Sequence, residues 1–198
     1  DMYGSFIRGE FQKYGVACDQ VRTVAGTQSF HSFVLLNLQN TSRTCIWSKG
    51  TVPAPQPGDI DLETLKHAKY LHLDGHQLDA AIYAAQKAHE YGVKVSHDAG
   101  GTYPGIERLL PYVDVLIPSE EFSLKITQSA DAAQAAEKLD RLYHPETLII
   151  TQGSRGGFIW QDGKELRYPV YPVHAVDSNG AGDTFHGAFV AARIRGMN

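Results

Sequence analysis

Apolar residues along this chain recur in two patterns, short continuous runs and longer stripes with helical spacing. Between residues 69 and 151 the two patterns alternate regularly. A short apolar run predicts a strand, and apolar residues recurring every three or four positions predict a helix. The predicted strands are 69–73, 93–97, 113–117 and 147–151, and the predicted helices are 78–91, near 106–110, near 120–126, and 132–142. Repeated strand–helix units predict an α/β protein with a mainly parallel sheet covered by helices on both faces.

Further elements flank this regular region. Residues 3–14 have the apolar spacing of a helix, and residues 157–161 and 165–168 predict a hairpin that turns at Asp162-Gly163. Near the end of the chain, residues 173–176 predict a strand and residues 183–195 a helix. The same strand–helix order therefore continues to the last element.

An early pair of strands departs from that order. Residues 29–38 and 44–47 predict two strands joined by a turn at 39–43. Phe33, Val34 and Leu35 are consecutive, so the first strand carries apolar side chains on both faces. This pattern predicts packing against a second surface, and the alternative is an ordinary hairpin at the edge of a sheet. Three prolines in 51–59 predict an extended connector after it.

Composition is that of a globular domain. The chain has 198 residues, of which 42% are hydrophobic and 20% charged. No apolar run approaches the roughly 20 residues of a membrane helix, and no basic, apolar leader opens the sequence. The net charge is −4 with scattered basic residues, which argues against a nucleic-acid partner. Cys18 and Cys45 lack metal or redox spacing, so we expect reduced thiols and a cytoplasmic protein without a membrane partner.

The most informative segment, residues 177–185, reads Asp-Ser-Asn-Gly-Ala-Gly-Asp-Thr-Phe. Gly180, Ala181 and Gly182 precede the predicted helix and leave backbone N–H groups unshielded. Reinforced by the helix dipole, these groups can hold an anion. Asp183 lies beside them, where a carboxylate would orient and deprotonate a hydroxyl during phosphoryl transfer. The alternative is a glycine-rich turn with Asp183 as an N-cap.

This segment resembles the C-terminal signature of the ribokinase-like (PfkB) carbohydrate kinases, usually Asp-Thr-Thr-Gly-Ala-Gly-Asp-Thr-Phe. The resemblance implies that Asp183 is the catalytic base and that the amides of Gly180, Ala181 and Gly182 form the anion hole. A second segment, Thr151-Gln152-Gly153-Ser154-Arg155-Gly156, resembles the family's nucleotide loop, Thr-x-Gly-x-x-Gly. It implies an ATP-binding role for the residues that match the pattern or carry a hydroxyl: Thr151, Gly153, Ser154 and Gly156. The alternative for this short pattern is a turn between elements.

The metal site departs from the family. Many relatives carry Pro-Asn-x-x-Glu, which organises magnesium, whereas here Ser119 stands for the asparagine and Phe122 for the glutamate. Glu120 or Glu121 would have to supply a carboxylate, and Glu121 is the candidate metal ligand. Mg²⁺ is expected with ATP because the phosphate charge requires it. The resemblance also implies a monovalent cation such as K⁺, with oxygen ligands from Asp177 and Asn179.

Two acids and three histidines lie outside these motifs and are considered as further site residues. Asp74 and Asp98 lie at the carboxyl ends of predicted strands, where α/β sheets bind ligands, so both are predicted substrate contacts. For Asp98 the alternative is a loop-capping acid. His72 and His76 straddle a strand end, so we do not expect a zinc pair. His186 is about 300° around the helix from the proposed base, and we expect it to be structural or peripheral.

The resemblance covers the chain and implies a ribokinase-like three-layer α/β/α fold with a mainly parallel sheet. Residues 27–50 would form a small β lid over the sugar and would pair two subunits into a homodimer. The family's first strand would precede Asp1 and the helices around its adenine pocket would follow Asn198, so 1–198 is expected to be an incomplete kinase domain. The expected function is ATP-dependent phosphorylation of a hydroxyl on a small sugar. The alternatives are a nucleoside or vitamin kinase of the same fold, or a catalytically silent sugar-binding homologue.

Overall fold

The computed structural model describes residues 1–37, 43–174 and 177–197, with Arg43 described by its backbone alone. The chain divides into two compact units, Asp1–Ala54 and Pro55–Asn198. Within the described ranges, no helix has the length and apolar character needed to span a bilayer.

One helix and one hairpin make up the first unit. Helix α1 (Met2–Lys13) begins after Asp1, whose carboxylate accepts a hydrogen bond from the Gly4 N–H at 2.9 Å and so caps the helix. The other carboxylate oxygen accepts from the Ser29 N–H at 2.6 Å. Asp1 therefore ties the start of the helix to the segment that leads into the hairpin.

The hairpin is confirmed, with a shorter first strand than predicted. Strand β1 (His31–Leu36) pairs antiparallel with β2 (Arg43–Ser48), and Phe33 lies opposite Ile46. Most of the predicted turn falls on residues 38–42, outside the described residues. Phe33 and its neighbour Val34 point to opposite faces, yet both are exposed, as is Trp47. Both faces of the hairpin thus present large apolar side chains.

A six-stranded sheet organises the described residues of the second unit, with its strands side by side in chain order. The strands are β3 (Tyr70–Leu73), β4 (Lys94–Ala99), β5 (Val115–Pro118), β6 (Thr147–Thr151), β7 (Gly157–Gln161) and β8 (Lys164–Tyr168). Strands β3 to β6 are parallel, whereas β7 and β8 are antiparallel. The helices are α2 (Leu62–Lys66), α3 (Leu78–Glu90), α4 (Glu120–Thr127), α5 (Ala132–Tyr143) and α6 (Ala181–Ile194). The predicted strand–helix alternation is confirmed.

Helices cover both faces of this sheet. One face packs against α2, α3, α4 and α5 through a large core that includes Phe122 and Leu139. On the other face, Phe185 and Phe189 of α6 pack against a smaller cluster of Val115, Ile117 and Ile149. All four residues of β5 are buried, as expected for a parallel strand between two helical layers.

Local chemistry sets several element boundaries. The β7–β8 turn has Asp162 and Gly163 at φ 51° and 73°, which is the backbone that an Asp-Gly hairpin turn requires. The helix expected near 106–110 is instead two 3₁₀ turns, Ile106–Arg108 and Leu110–Tyr112, because Pro111 lacks an N–H for a continuous helix. The short helix α2 was not predicted, since five residues are too few to show a periodic pattern.

The strand predicted at 173–176 is not found in its described half. Val173 and His174 are not in a strand, and residues 175 and 176 lie outside the described residues. The helix that follows begins two residues earlier than predicted, at Ala181.

Parallel pairing brings the candidate residues to one edge of the sheet. Leu73, the last residue of β3, pairs with His97, and Ala99 pairs with Pro118. A single bridge then joins Ser119 to Thr151. The segments that follow β3, β4, β5 and β6 therefore emerge side by side.

His97 gives the stability of this unit a specific pH dependence. The ring is 1% exposed, and its Nδ1 lies 3.1 Å from the Leu73 carbonyl oxygen. Burial lowers the pKa of His97 below its ordinary 6.5, more than the Leu73 carbonyl and the Asp98 charge raise it. As pH falls below 6.5, the unfolded chain therefore takes up a proton that the folded ring does not, and stability is lost.

We expect His97→Asn to reduce the loss of unfolding free energy between pH 7.5 and 5.5 by about 1 kcal/mol. Asparagine retains a donor toward the Leu73 carbonyl but does not titrate. Denaturant unfolding at both pH values measures the difference, and His67→Asn, at an exposed position of the same unit, is the control. A His97→Asn protein with the unmodified pH dependence would contradict the assignment.

Candidate active site

A tight turn leads into helix α6 and leaves its first N–H groups pointing outward. The Asp177 carboxylate accepts a hydrogen bond from the Asn179 N–H at 2.8 Å, and Gly180 has a left-handed backbone with φ 75°. The Thr184 N–H donates to the Gly180 carbonyl at 2.9 Å, which is the first bond of the helical ladder. The N–H groups of Gly182 and of the residue after it precede that bond, so they are available to an anion.

Asp183 lies in the first turn of α6 and its side chain is exposed. The helix begins after Gly180, so the alternative reading of Asp183 as the N-cap is wrong. Its carboxylate Oδ2 is 3.7 Å from the position that a Cβ on Gly180 would occupy, so the side chain folds back over the helix start. A Cβ on Gly182 would meet no described atom within 4 Å. The turn thus combines an accessible carboxylate, outward N–H groups and open space beside them.

His186 is neither exposed nor peripheral. Its side chain is 5% exposed, and its Nε2 lies 3.2 Å from Oδ1 of Asp98 near the carboxyl end of β4. A rotation of 300° is equivalent to 60° in the other direction, so His186 and Asp183 share one side of the helix. The expectation named a structural or a peripheral role, and the burial of His186 agrees with the structural one.

The carboxylate of Asp98 is ionised more readily than an isolated aspartate. Burial alone would raise its pKa, but the hydrogen bond from His186 and the nearby imidazoles His72 and His97 lower it further than burial raises it. The predicted substrate contact Asp98 is thus placed at the expected sheet edge, with one oxygen already directed at a protein side chain.

His72 lies within electrostatic reach of the candidate carboxylates. Its ring centroid is 5.8 Å from that of His186, and its Nδ1 is 3.3 Å from Ser96 Oγ. Burial and then the His186 charge lower the pKa of His72, whereas Asp98, Asp74 and Asp183 raise it. The part of the chain that the structure describes contains no group of three or more His, Cys, Asp or Glu side chains placed to hold a metal.

Asp74 occupies the turn after β3. Its carboxylate accepts a hydrogen bond from the His76 N–H at 2.9 Å, and the side chain is 73% exposed. The His76 ring packs edge-on against Tyr103 with centroids 4.7 Å apart. One role of Asp74 is therefore to stabilise this turn, while most of its surface is accessible.

The predicted nucleotide loop follows β6 and closes on itself. The Gln152 N–H donates to the Gly156 carbonyl at 2.8 Å around a 3₁₀ turn at Gly153–Arg155. The Thr151 hydroxyl is directed at the Pro118 carbonyl 3.4 Å away, whereas Ser154 is exposed. The loop therefore presents Ser154 and backbone groups more openly than the Thr151 hydroxyl.

The residues that replace the family's metal motif have structural contacts. Ser119 caps α4 by accepting a hydrogen bond from the Phe122 N–H at 3.1 Å, and Phe122 itself is buried in the core. Glu120 accepts a hydrogen bond from the Gln152 side chain at 2.7 Å and pairs with Arg155. These residues do not fit a magnesium site of the Asn-x-x-Glu kind, but they tie α4 to the nucleotide loop.

Glu121, the metal candidate, is exposed beside this link. Asp177 and Asn179, the candidates for a monovalent cation, lie together in the turn before α6. All three metal assignments stay predictions.

The comparisons with known proteins agree on one family. The profile of the pfkB family carbohydrate kinases matches residues 1–198. The chain is 36% identical over 122 residues to the ribokinase of Haemophilus influenzae, covering 59% of this chain and 40% of that protein. It is 33% identical over 103 residues to adenosine kinase 1 of Arabidopsis thaliana, covering 46% of this chain and 30% of that kinase. The structure of Arabidopsis thaliana ribokinase complexed with ribose and ATP matches with a TM-score of 0.79 and 28% identity, covering 93% of this chain and 62% of that one.

The sheet, its two helical layers and this structural match define a ribokinase-like α/β/α fold. The chain belongs to the PfkB family of carbohydrate kinases. It spans between 30% and 62% of the length of these three relatives. The expectations for family and fold are confirmed.

We expect Gly156→Ala to destabilise the protein by at least about 3 kcal/mol, combining backbone strain with a steric clash. Gly156 has φ 82°, and a Cβ there would lie 2.3 Å from the Tyr168 carbonyl oxygen. Gly163→Ala is the matched control, because Gly163 also has a positive φ of 73° but open space around it. Denaturant unfolding measures both losses, and equal losses would show that the backbone at Gly156 moves aside freely.

Proposed function

We propose that this protein is an ATP-dependent kinase that phosphorylates a hydroxyl of a small sugar. The observation that carries the proposal is the exposed Asp183 carboxylate beside the outward N–H groups at the start of α6, in a chain of this family. Asp183 takes the proton of the acceptor hydroxyl as its oxygen attacks the γ-phosphorus of ATP. The bond from that phosphorus to the bridging oxygen of ADP breaks. The amides of Gly180, Gly182 and Asp183 stabilise the charge on the transferring group, while the Ala181 N–H donates to the Ser178 carbonyl at 3.3 Å and holds the turn.

The nucleotide is proposed to bind along the loop after β6. Gly153 and Gly156 let the backbone approach the phosphates, and the exposed Ser154 hydroxyl donates to a phosphate oxygen. Thr151 contributes chiefly to the shape of the loop, since its hydroxyl is directed at a carbonyl. Magnesium accompanies ATP because the phosphate oxygens carry concentrated negative charge.

A sugar is the preferred acceptor. The match to a ribokinase at 36% identity and the match to a ribokinase structure containing ribose and ATP both support it. Asp74 is the better placed of the two predicted sugar contacts because its carboxylate is exposed, whereas Asp98 already bonds His186 through one oxygen. The match to an adenosine kinase supports a nucleoside as the second candidate.

A screen of radiolabelled ATP against sugars and nucleosides with the purified full-length protein separates these candidates. Transfer to a sugar supports the proposal, and transfer to nucleosides alone supports the second candidate. Binding of a sugar without any phosphoryl transfer would identify a catalytically silent homologue.

We also propose a reducing, cytoplasmic setting, in keeping with the free thiols Cys18 and Cys45.

Asp183→Asn should lower turnover at least about a hundredfold, which is the usual scale for loss of a general base, with little change in ATP binding. Asp79→Asn is the matched control, because Asp79 is also an acid in the first turn of a helix but lies on α3. Steady-state kinetics and nucleotide titration measure the two effects. Near-normal turnover in Asp183→Asn would overturn the assignment of the base.

We further propose that residues 27–50 form the family's lid and join two copies of the chain into a twofold dimer. The hairpin exposes Phe33 and Ile46 at paired positions, and an isolated two-stranded hairpin is marginal in water. A second copy of the same apolar surface would bury these side chains.

Phe33→Asp is expected to convert the dimer to a monomer with weaker sugar affinity, because each lid loses its support. Val52→Asp places the same charge at another exposed apolar residue of the first unit and should leave the dimer intact. Sedimentation at micromolar concentrations measures both. A strictly monomeric unmodified protein would reject the dimer.

A further inference from the structure

A buried polar contact links helix α6 to the edge of the sheet. The Nε2 atom of His186 lies 3.2 Å from Oδ1 of Asp98, and the two side chains are only 5% and 22% exposed. Asp98 is an acceptor when ionised, so this hydrogen bond requires the proton on Nε2. The other ring nitrogen, Nδ1, is buried and has no hydrogen-bond partner among the described residues. The Asp98 contact is therefore the polar interaction that anchors this ring.

The anchored ring belongs to the same turn of helix as the proposed base. His186 and Asp183 are three residues apart, so they differ by about 60° in rotation and about 4.5 Å along the axis. Phe185 and Phe189 hold α6 against the sheet, but apolar contacts are non-directional and tolerate rotation of the helix. A polar contact between two particular atoms depends on their separation, which changes when the helix rotates. The His186–Asp98 contact thus fixes the rotation that the apolar contacts leave open.

Other titratable groups lie near this contact. His72 of β3 faces the His186 ring, and His97 neighbours Asp98 on β4. The carboxylates of Asp74 and Asp183 also act on His72. Loss of the His186 donor would leave the partly buried Asp98 carboxylate without its hydrogen-bond partner, which favours rearrangement of the turn.

We propose that His186 and Asp98 form a positioning pair that holds the first turn of α6, and with it Asp183, at the carboxyl end of β4. The proposal rests on the proposed function, because the group that it positions is the base of that reaction. His186 acts through Asp183 and the outward N–H groups, without touching substrate. A misplaced base lowers the rate of the chemical step, while the nucleotide loop after β6 is left as it was.

The test compares His186→Gln with His186→Asn. The side-chain amide nitrogen of glutamine can occupy the position of the histidine Nε2 atom, whereas that of asparagine can occupy only the position of Nδ1. The two variants therefore carry the same amide group but differ in whether it can contact Asp98. We expect His186→Gln to keep kcat within about threefold. His186→Asn should lose at least about tenfold in kcat, with the KM for ATP within about threefold, since a displacement of about 1 Å can cost a hundredfold.

Hydrogen–deuterium exchange of the peptide that contains residues 177–190 is the second readout, and it needs no substrate. Exchange in the first turn of α6 should be faster in His186→Asn than in His186→Gln. If His186→Asn does not fold, His186→Met, which also lacks a donor at that place, is compared with His186→Gln in the same two measurements.

The outcomes separate the positioning pair from the proposed function. Equal kcat and equal exchange in folded Gln and Asn variants would overturn the pair. A raised KM for the sugar with unchanged kcat would also overturn it, because that result assigns the contact to substrate binding. If the unmodified protein phosphorylates no sugar or nucleoside but the exchange contrast is present, the pair stands and the proposed function falls.

Discussion

Parallel pairing of β3 to β6 is the constraint on which the rest of the second unit depends. Parallel strands cannot be joined by tight turns, so β3, β4 and β5 are each followed by a crossover that returns over a face of the sheet. These crossovers supply helices α3, α4 and α5 on one face of the sheet, and α6 covers β5 on the other face. They also force the carboxyl ends of the four strands to one edge, where the turns after them meet. The same parallel pairing that requires crossovers over the sheet therefore also brings the candidate site residues together.

Polar groups at that edge are stabilised mainly by one another. The Asp98 carboxylate contacts His186, the Asp74 carboxylate bonds the backbone of its own turn, and Glu120 bonds two side chains of the loop after β6. A partly buried carboxylate with a partner costs far less than one without. Asp74 and Asp183 are both exposed, and of these two it is Asp183 that lies in the first turn of α6. The surroundings of each acid thus decide whether its carboxylate is bonded within the protein or exposed.

Sequence reasoning located the sheet and the turn before α6 because both have local signals. Apolar periodicity gives the strands of β3 to β6, and the glycines around Ala181 mark the start of the helix. The His186–Asp98 contact has no local signal, because its partners are far apart in the chain and meet only through packing of α6 on β4. The spacing of His186 from Asp183 did contain a usable signal, since residues three apart lie on one side of a helix. The contacts of Glu120 likewise depend on which loops a parallel sheet places side by side.

The burial of Phe122 has a consequence for how this site can change. A metal-organising glutamate at that position would place its carboxylate among Leu139, Phe158 and the other residues of the main core. A buried, unpaired charge is strongly unfavourable, so the substitution would damage the fold before it could improve metal binding. Restoring the motif would need several concerted substitutions in the surrounding core. This chain therefore cannot gain the family's glutamate at position 122 by a single substitution. Selection for tighter metal binding would have to change other residues at the carboxyl end of the sheet.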